Sequence, residues 1–244
     1  MATVRRGRET VEAIYYRAAG RHRAAGTLTK LVAQGDPAPA GVSSPASGPR
    51  SQQPGIGGLR RGDRGPGRAG GIFRAQAGQL KMLVGAGDDT PLGGIFMKFS
   101  ERLAINDAGL VAFHAVLRHG PVAAAVFAVD NDGVRKVAAT GDGAPGGGTF
   151  SHFGPWPALN AAGTVGFVAS VDAGPSPVGA FLAGSSGLSK IAAIGDPLPG
   201  GGTLATFTLY PVITLSPSGS LTFTAAPTAT GQGVEGIYLA TPSR

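Results

Sequence analysis

The chain predicts an all-β fold, a propeller-like array of four-stranded antiparallel blades, on three observations. Gly35-Asp36, Gly87-Asp88, Gly141-Asp142 and Gly195-Asp196 recur at spacings of 52, 54 and 54, each pair closing the same succession of short apolar runs. A period near 50 with four strand-like runs per unit is the signature of a blade. The 42 Gly and 19 Pro among 244 residues, with 14% charged, suit many short strands joined by turns and argue against long helices. Within a unit the apolar residues alternate, as in Val165, Phe167, Ala169 and Val171, which is the period of a strand with one apolar face.

The elements follow in order. Residues 1–26 form an N-terminal remnant with the strand text Val11-Glu-Ala-Ile-Tyr-Tyr16, and residues 27–240 form the β-repeat domain. Its units lie near 37–88, 89–142, 143–196 and 197–240, and residues 241–244 are a tail. In the clearest unit the first segment carries Phe150, Phe153 and Leu159, the second Val165 to Val171, and the third and fourth centre on Phe181 and Ile191. The preceding unit superposes without a gap, with Phe96, Phe99 and Ile105, then Val111 and Phe113, then Phe127, then Val137. The last unit offers three strands. Leu28 to Ala33 reads as a fourth strand able to close the ring, but Val234-Glu-Gly-Ile-Tyr-Leu239 resembles Val11 to Tyr16, so both ends supply the same third strand. That redundancy favours an open or truncated array, with missing N-terminal repeats and an edge strand that needs a partner.

Asn106-Asp-Ala-Gly109 and Asn160-Ala-Ala-Gly163 stand between the first and second segments, and Ser216-Pro-Ser-Gly219 takes their place in the last unit. This is hairpin chemistry. The Asn side chain accepts from the backbone two residues on in an Asx-turn, and Gly109, Gly163 and Gly219 supply the positive φ of a type I turn with a bulge.

These residues resemble the bacterial choice-of-anchor tandem-repeat proteins, named for an Asn-x-x-Gly-x-x-x-Ala-Phe-like repeat. Asn106-Asp-Ala-Gly-Leu-Val-Ala-Phe113 carries the resemblance, followed by Asn160-Ala-Ala-Gly-Thr-Val-Gly-Phe167. The resemblance implies an exported or cell-surface protein without a known biochemical activity, with a signal peptide and a C-terminal anchor. The start, Met1 to Glu12, has basic residues but lacks the apolar core of about 7–15 residues that a signal peptide needs, so no such signal is expected there.

One unit reads as damaged. Residues 42–69 have almost no apolar residues although they span a unit's first two strands, and at face value they are a disordered loop. Read one nucleotide later, the codons of Ser51 to Arg60 permit Leu-Asn-Ser-x-Gly-x-Val-Ala-Phe, with an Asn at position 52 and a Phe at position 59, each 54 before Asn106 and Phe113. A pair of compensating frameshifts is therefore our hypothesis for this stretch. Resequencing tests it, and an uninterrupted frame in relatives with the same text would sink it. The tripeptide Arg61-Gly62-Asp63 and the cluster of Arg60, Arg61, Arg64 and Arg68 then read as by-products of GC-rich codons rather than as an adhesion motif or an anion site.

Charge narrows the partners. Residues 1–81 hold 14 Lys/Arg and 4 Asp/Glu, a balance of +10, whereas residues 82–244 hold 7 and 10, a balance of −3. A nucleic-acid surface places its cations on folded elements among exposed aromatics, so no nucleic acid is expected. No apolar run approaches the roughly 18 residues of a membrane span. Zero cysteines removes disulfides, thiolate metal sites and thiol nucleophiles.

Four carboxylates at one structural position, Asp36, Asp88, Asp142 and Asp196, are the metal candidates, since convergent carboxylates hold Ca²⁺. The favoured reading makes each Asp an acceptor for its own turn. His22, His114, His119 and His152 lack metal-ligand spacing, no Ser/His/Asp set stands out, and no other cofactor is implied. Trp156, between Pro155 and Pro157, reads as a wedge between blades before a sugar platform. The expected function is a non-enzymatic module of a secreted or surface protein, a scaffold or platform for a protein or glycan. The alternative is a propeller-type carbohydrate-active lyase or hydrolase with its site in variable loops such as Asp172 to Pro177 or Thr228 to Val234.

Overall fold

The computed structural model describes residues 2–6, 9–17, 28–33, 70–76, 79–199, 202–207, 213–227 and 236–241. His22, Asp36, the 42–69 stretch with its Arg cluster and Arg61-Gly62-Asp63, and the Thr228–Val234 loop lie outside the described residues. Among those described there is no helix, and all sheets are antiparallel where their register is defined. The chain divides into two compact parts, one of Met1–Ala69 and Phe73–Met82, the other of Gly70–Ile72 and Leu83–Arg244.

Strands β1 (Ala2–Arg6), β2 (Glu9–Arg17) and β3 (Leu28–Ala33) form a sheet in the order β1-β2-β3, and β4 (Gly71–Gln76) pairs with β5 (Gln79–Gly85). The second part continues with β6 (Ile95–Phe99), β7 (Ala104–Ile105), β8 (Val111–Arg118), β9 (Ala124–Val129) and β10 (Val134–Ala139). Their order is β10-β9-β8-β6, with β7 also on β8. Strands β6 and β7 pair with opposite ends of β8, Phe99 against Ala115 and Ala104 against Ala112, so they are two halves of one outer strand broken at Ser100–Leu103. The sequence had suggested one unbroken first segment. The break occurs where Ser100 turns inward, its hydroxyl accepting the His114 N–H and its own N–H reaching the His114 carbonyl.

The pattern recurs 54 residues on in β11 (Thr149–Phe153), β12 (Ala158–Leu159), β13 (Val165–Asp172), β14 (Val178–Gly184) and β15 (Gly187–Ala193). The register recurs with it. Phe113 lies opposite Phe127 as Phe167 lies opposite Phe181, and Lys136 and Lys190 face those third-strand aromatics beside a one-residue bulge. In the first part Tyr15 pairs with Lys30 beside the same irregularity. A last sheet holds β16 (Leu204–Phe207), β17 (Ile213–Leu215), β18 (Leu221–Pro227) and β19 (Gly236–Ala240), in which β19 pairs with β18 and, among the described residues, with no other strand.

Aromatic rings fill one face of each sheet. Phe113 and Phe127 stack at 5.6 Å and 24°, Phe167 and Phe181 at 5.8 Å and 26°, and Phe223 and Tyr238 at 5.8 Å and 25°. The opposite faces are lined by small residues that receive the next sheet's rings, for Ala112, Val126 and Ala138 share a cluster with Phe150, Phe167 and Phe181. Large-on-small matching of this kind lets sheets approach without voids. Gly166 shows how close: a Cβ there would stand 3.1 Å from Leu221 Cδ1 and 3.3 Å from Leu182 Cδ2. Because both faces are covered, Gly166 and Val168 are buried along with Val165, Phe167 and Ala169, so β13 departs from the one-sided burial its alternation predicts. Full burial of one such ring is worth about 1.5–3 kcal/mol, which makes the rings the main source of cohesion here.

Candidate functional site

The recurring aspartates sit in tight turns that enter each new sheet. Asp88 Oδ2 accepts the Gly85 N–H at 2.7 Å, Asp142 Oδ2 accepts that of Ala139 at 2.9 Å, and Asp196 Oδ2 accepts that of Ala193 at 2.8 Å. In the backbone, Phe96 donates to the Asp88 carbonyl, Phe150 to that of Asp142 and Leu204 to that of Asp196, tying each turn to the following strand. The glycine before each aspartate takes the left-handed backbone, with φ of 97°, 89° and 94° at Gly87, Gly141 and Gly195, which L residues adopt only with strain. Two of the three carboxylates also meet a lysine of the strand just before, Lys136 at 3.0 Å and Lys190 at 3.3 Å. These ion pairs are partly exposed, so solvent screening keeps their contribution within about 1 kcal/mol. Among the described residues no group of three or more His, Cys, Asp or Glu stands close enough to hold a metal ion.

The asparagines do more than close hairpins. Asn106 Oδ1 accepts the Leu110 N–H at 3.1 Å and Asn160 Oδ1 that of Thr164 at 2.9 Å, a reach of four residues rather than the two of an Asx-turn. The reason is the glycine at the turn's end: Gly109 and Gly163, at φ of 81° and 82°, swing the next N–H back toward the side chain. Ser216 Oγ makes the same bond to Ser220, with Gly219 at φ 88°. The amide nitrogens then reach across sheets, Asn106 Nδ2 to the Asn160 carbonyl at 3.1 Å and Asn160 Nδ2 to the Ser216 carbonyl at 3.2 Å. Asn160 is buried, so the bonds that satisfy its two ends are made away from competing water. Serine has no amide nitrogen, and the side-chain ladder cannot continue through Ser216. Sequence spacing held the signal for these bonds, since donor and acceptor stand 54 and 56 residues apart.

The other singled-out residues are dispersed. Trp156 is half-buried and carries the Arg102 guanidinium 4.4 Å over its ring. Those two residues also stand 54 apart, on consecutive sheets, so the ring engages its neighbour as a wedge would, through a cation–π contact. His114 lies on β8 with its ring 6.4 Å from Phe153, and burial pulls its pKa below the usual 6.5. His119 adopts a φ of 62° after β8, and His152 is exposed on β11. The Asp172–Pro177 loop is held locally: Asp172 accepts the Ser151 hydroxyl at 2.8 Å, and Ser176 donates to the Ile194 carbonyl at 2.7 Å.

Near β19 the surface changes character. A groove of about 600 Å³ is lined by Ile191, Ala192, Leu198, Tyr238 and Ala240, with Asp196 as its charged residue. Ile237 and Leu239, which alternate with Tyr238, are 82% and 67% exposed. An apolar groove with one charge, beside a strand with an unpaired edge, is suited to contact with another apolar strand rather than to general acid–base chemistry.

Antiparallel sheets of one pattern, joined by Gly-Asp turns and tied through asparagines, define the class: an all-β protein of successive antiparallel sheets. The chain belongs to a family of unknown function, DUF7453, whose model matches residues 25–241. No curated protein and no solved structure matches it.

Proposed function

We propose that this chain is a non-enzymatic tandem-repeat module with propeller-like blades, part of a bacterial secreted or cell-surface protein, acting as a scaffold or as a platform for a protein or glycan. One observation carries the reading. The polar residues that recur with the period, Asp88, Asp142, Asp196, Asn106 and Asn160, spend their side chains on their own turns or on the neighbouring sheet. What they leave for contact is backbone edge and apolar groove. The resemblance of Asn106 to Phe113 to the choice-of-anchor repeat supports export, and the absence of any helix among the described residues long and apolar enough to cross a membrane is compatible with it.

The test is a binding survey of the purified chain against arrayed glycans and extracellular proteins, run beside a reducing-sugar and unsaturated-product assay on the same polysaccharides. Binding without turnover is the expected result. Catalytic release of sugar would overturn the reading in favour of a carbohydrate-active enzyme.

A further inference from the structure

We propose that the free edge of β19 pairs with β19 of a second copy of this chain, giving a two-fold dimer through a continuous antiparallel sheet. The two complete sheets show how an outer edge is ordinarily protected. Their last strands carry cations, Arg135 and Lys136 in β10 and Lys190 in β15. An edge lysine resists being covered, which is a recognised guard against unwanted strand pairing. Strand β19, Gly236-Ile-Tyr-Leu-Ala240, carries no charge and no proline, and its two aliphatic side chains are the most exposed large hydrophobic residues among those described. In the complete sheets the corresponding third strands, β9 and β14, are covered on that edge by β10 and β15.

The sequence of β19 is self-complementary. An antiparallel pair centred on Tyr238 sets Ile237 opposite Leu239 of the copy, and Leu239 opposite its Ile237, so four aliphatic side chains meet on one face. On the other face Tyr238 meets its symmetry mate beside the groove lined by Ile191 and Leu198. A second copy satisfies one vacant edge with another, leaving neither chain with an open strand there, and an isologous contact closes at the dimer instead of growing into a fibre. Donation of Leu28–Ala33 by a second copy would not achieve this, because that strand already pairs with β2 and would leave β2 open in exchange. The dimer stands apart from the function proposed above, since it forms with or without an external ligand.

The test uses the full chain in sedimentation equilibrium across a dilution series, with hydrogen exchange of residues 236–240 at each concentration. The expected result is a dimer that dissociates on dilution, with protection of the 236–240 amides lost in parallel. The double variant Ile237→Lys/Leu239→Lys should weaken association at least tenfold while remaining folded, because both side chains are exposed in the single chain. The chain has no cysteine. A Leu239→Cys variant should therefore cross-link to itself through a short bis-maleimide, the two positions lying diagonal at about 7–8 Å across the strand pair. A monomer at all concentrations overturns the proposal. So does a dimer that the double variant leaves unchanged, or concentration-independent protection of 236–240, which would mean that another strand already fills the edge.

Discussion

The sheet of β11–β15 and the sheet of β16–β19 share a plan and differ in how it is finished. Both stack a second-strand phenyl ring on a third-strand aromatic at the same distance and tilt, Phe167 on Phe181 and Phe223 on Tyr238. The complete sheet has an asparagine in its first turn, a fourth strand bearing Lys190, and neighbours on both faces. The last sheet has Ser216 in that turn, no fourth strand among the described residues, and Ile237 and Leu239 turned to solvent. The aromatic pair is thus the invariant core of the unit, and the asparagine and the fourth strand are what bind it to a neighbour.

Breaking the shared element should have the largest effect. Phe167→Ala removes a fully buried ring from the middle of three others and is expected to cost about 3–5 kcal/mol in urea denaturation. The same truncation at Tyr238, which is only partly buried, should cost clearly less; equal losses would mean that the two sheets are equally enclosed. Next comes the asparagine. Asn160→Ala strands the buried Thr164 N–H and the Ser216 carbonyl and should cost about 1–3 kcal/mol. Asn160→Ser keeps the turn and removes only the link between sheets, converting the complete unit's turn into that of the last, and should cost roughly 0.5–1.5 kcal/mol by the same measurement.

A smaller effect follows from His114, which only the β6–β10 sheet possesses. Its folded pKa lies below the unfolded value of 6.5, so the unfolded chain binds the proton more readily. The stability held by the neutral ring is present above pH 6.5 and is lost as pH falls from there through the folded pKa. Stability profiles from pH 7.5 to 5 should show this decline, and His114→Gln should remove that part of the slope. The smallest effect belongs to the turn lysines. Lys136→Ala and Lys190→Ala, each in an exposed pair, should shift stability by no more than about 0.5 kcal/mol, and less at high salt.

Much of this plan was legible in the sequence. Period-two runs and turn glycines located β8, β9, β13 and β14, because each is long enough to show alternation and each ends on Gly, Asn or Asp. The break between β6 and β7 was not, since Phe96, Phe99 and Ile105 read as one apolar run and only the inward turn of Ser100 divides them. The outer, apolar side of β13 was hidden for a different reason: Gly166 and Val168 signal a second buried face only when the following sheet is known to lie 54 residues on. For the site, the aspartate turns could be read from local chemistry. The cross-sheet reach of Asn106 and Asn160 depends on stacking, which no local window contains.

The central claim is that the periodic carboxylates serve turns rather than a cation. Thermal unfolding with and without millimolar Ca²⁺ tests it most directly. The structure predicts the same midpoint in both conditions for the native chain and for Asp142→Asn. A site occupied at a hundredfold its Kd would instead raise the midpoint by about 5–10 °C. A rise of that size in the native chain, absent in Asp142→Asn, would contradict the account.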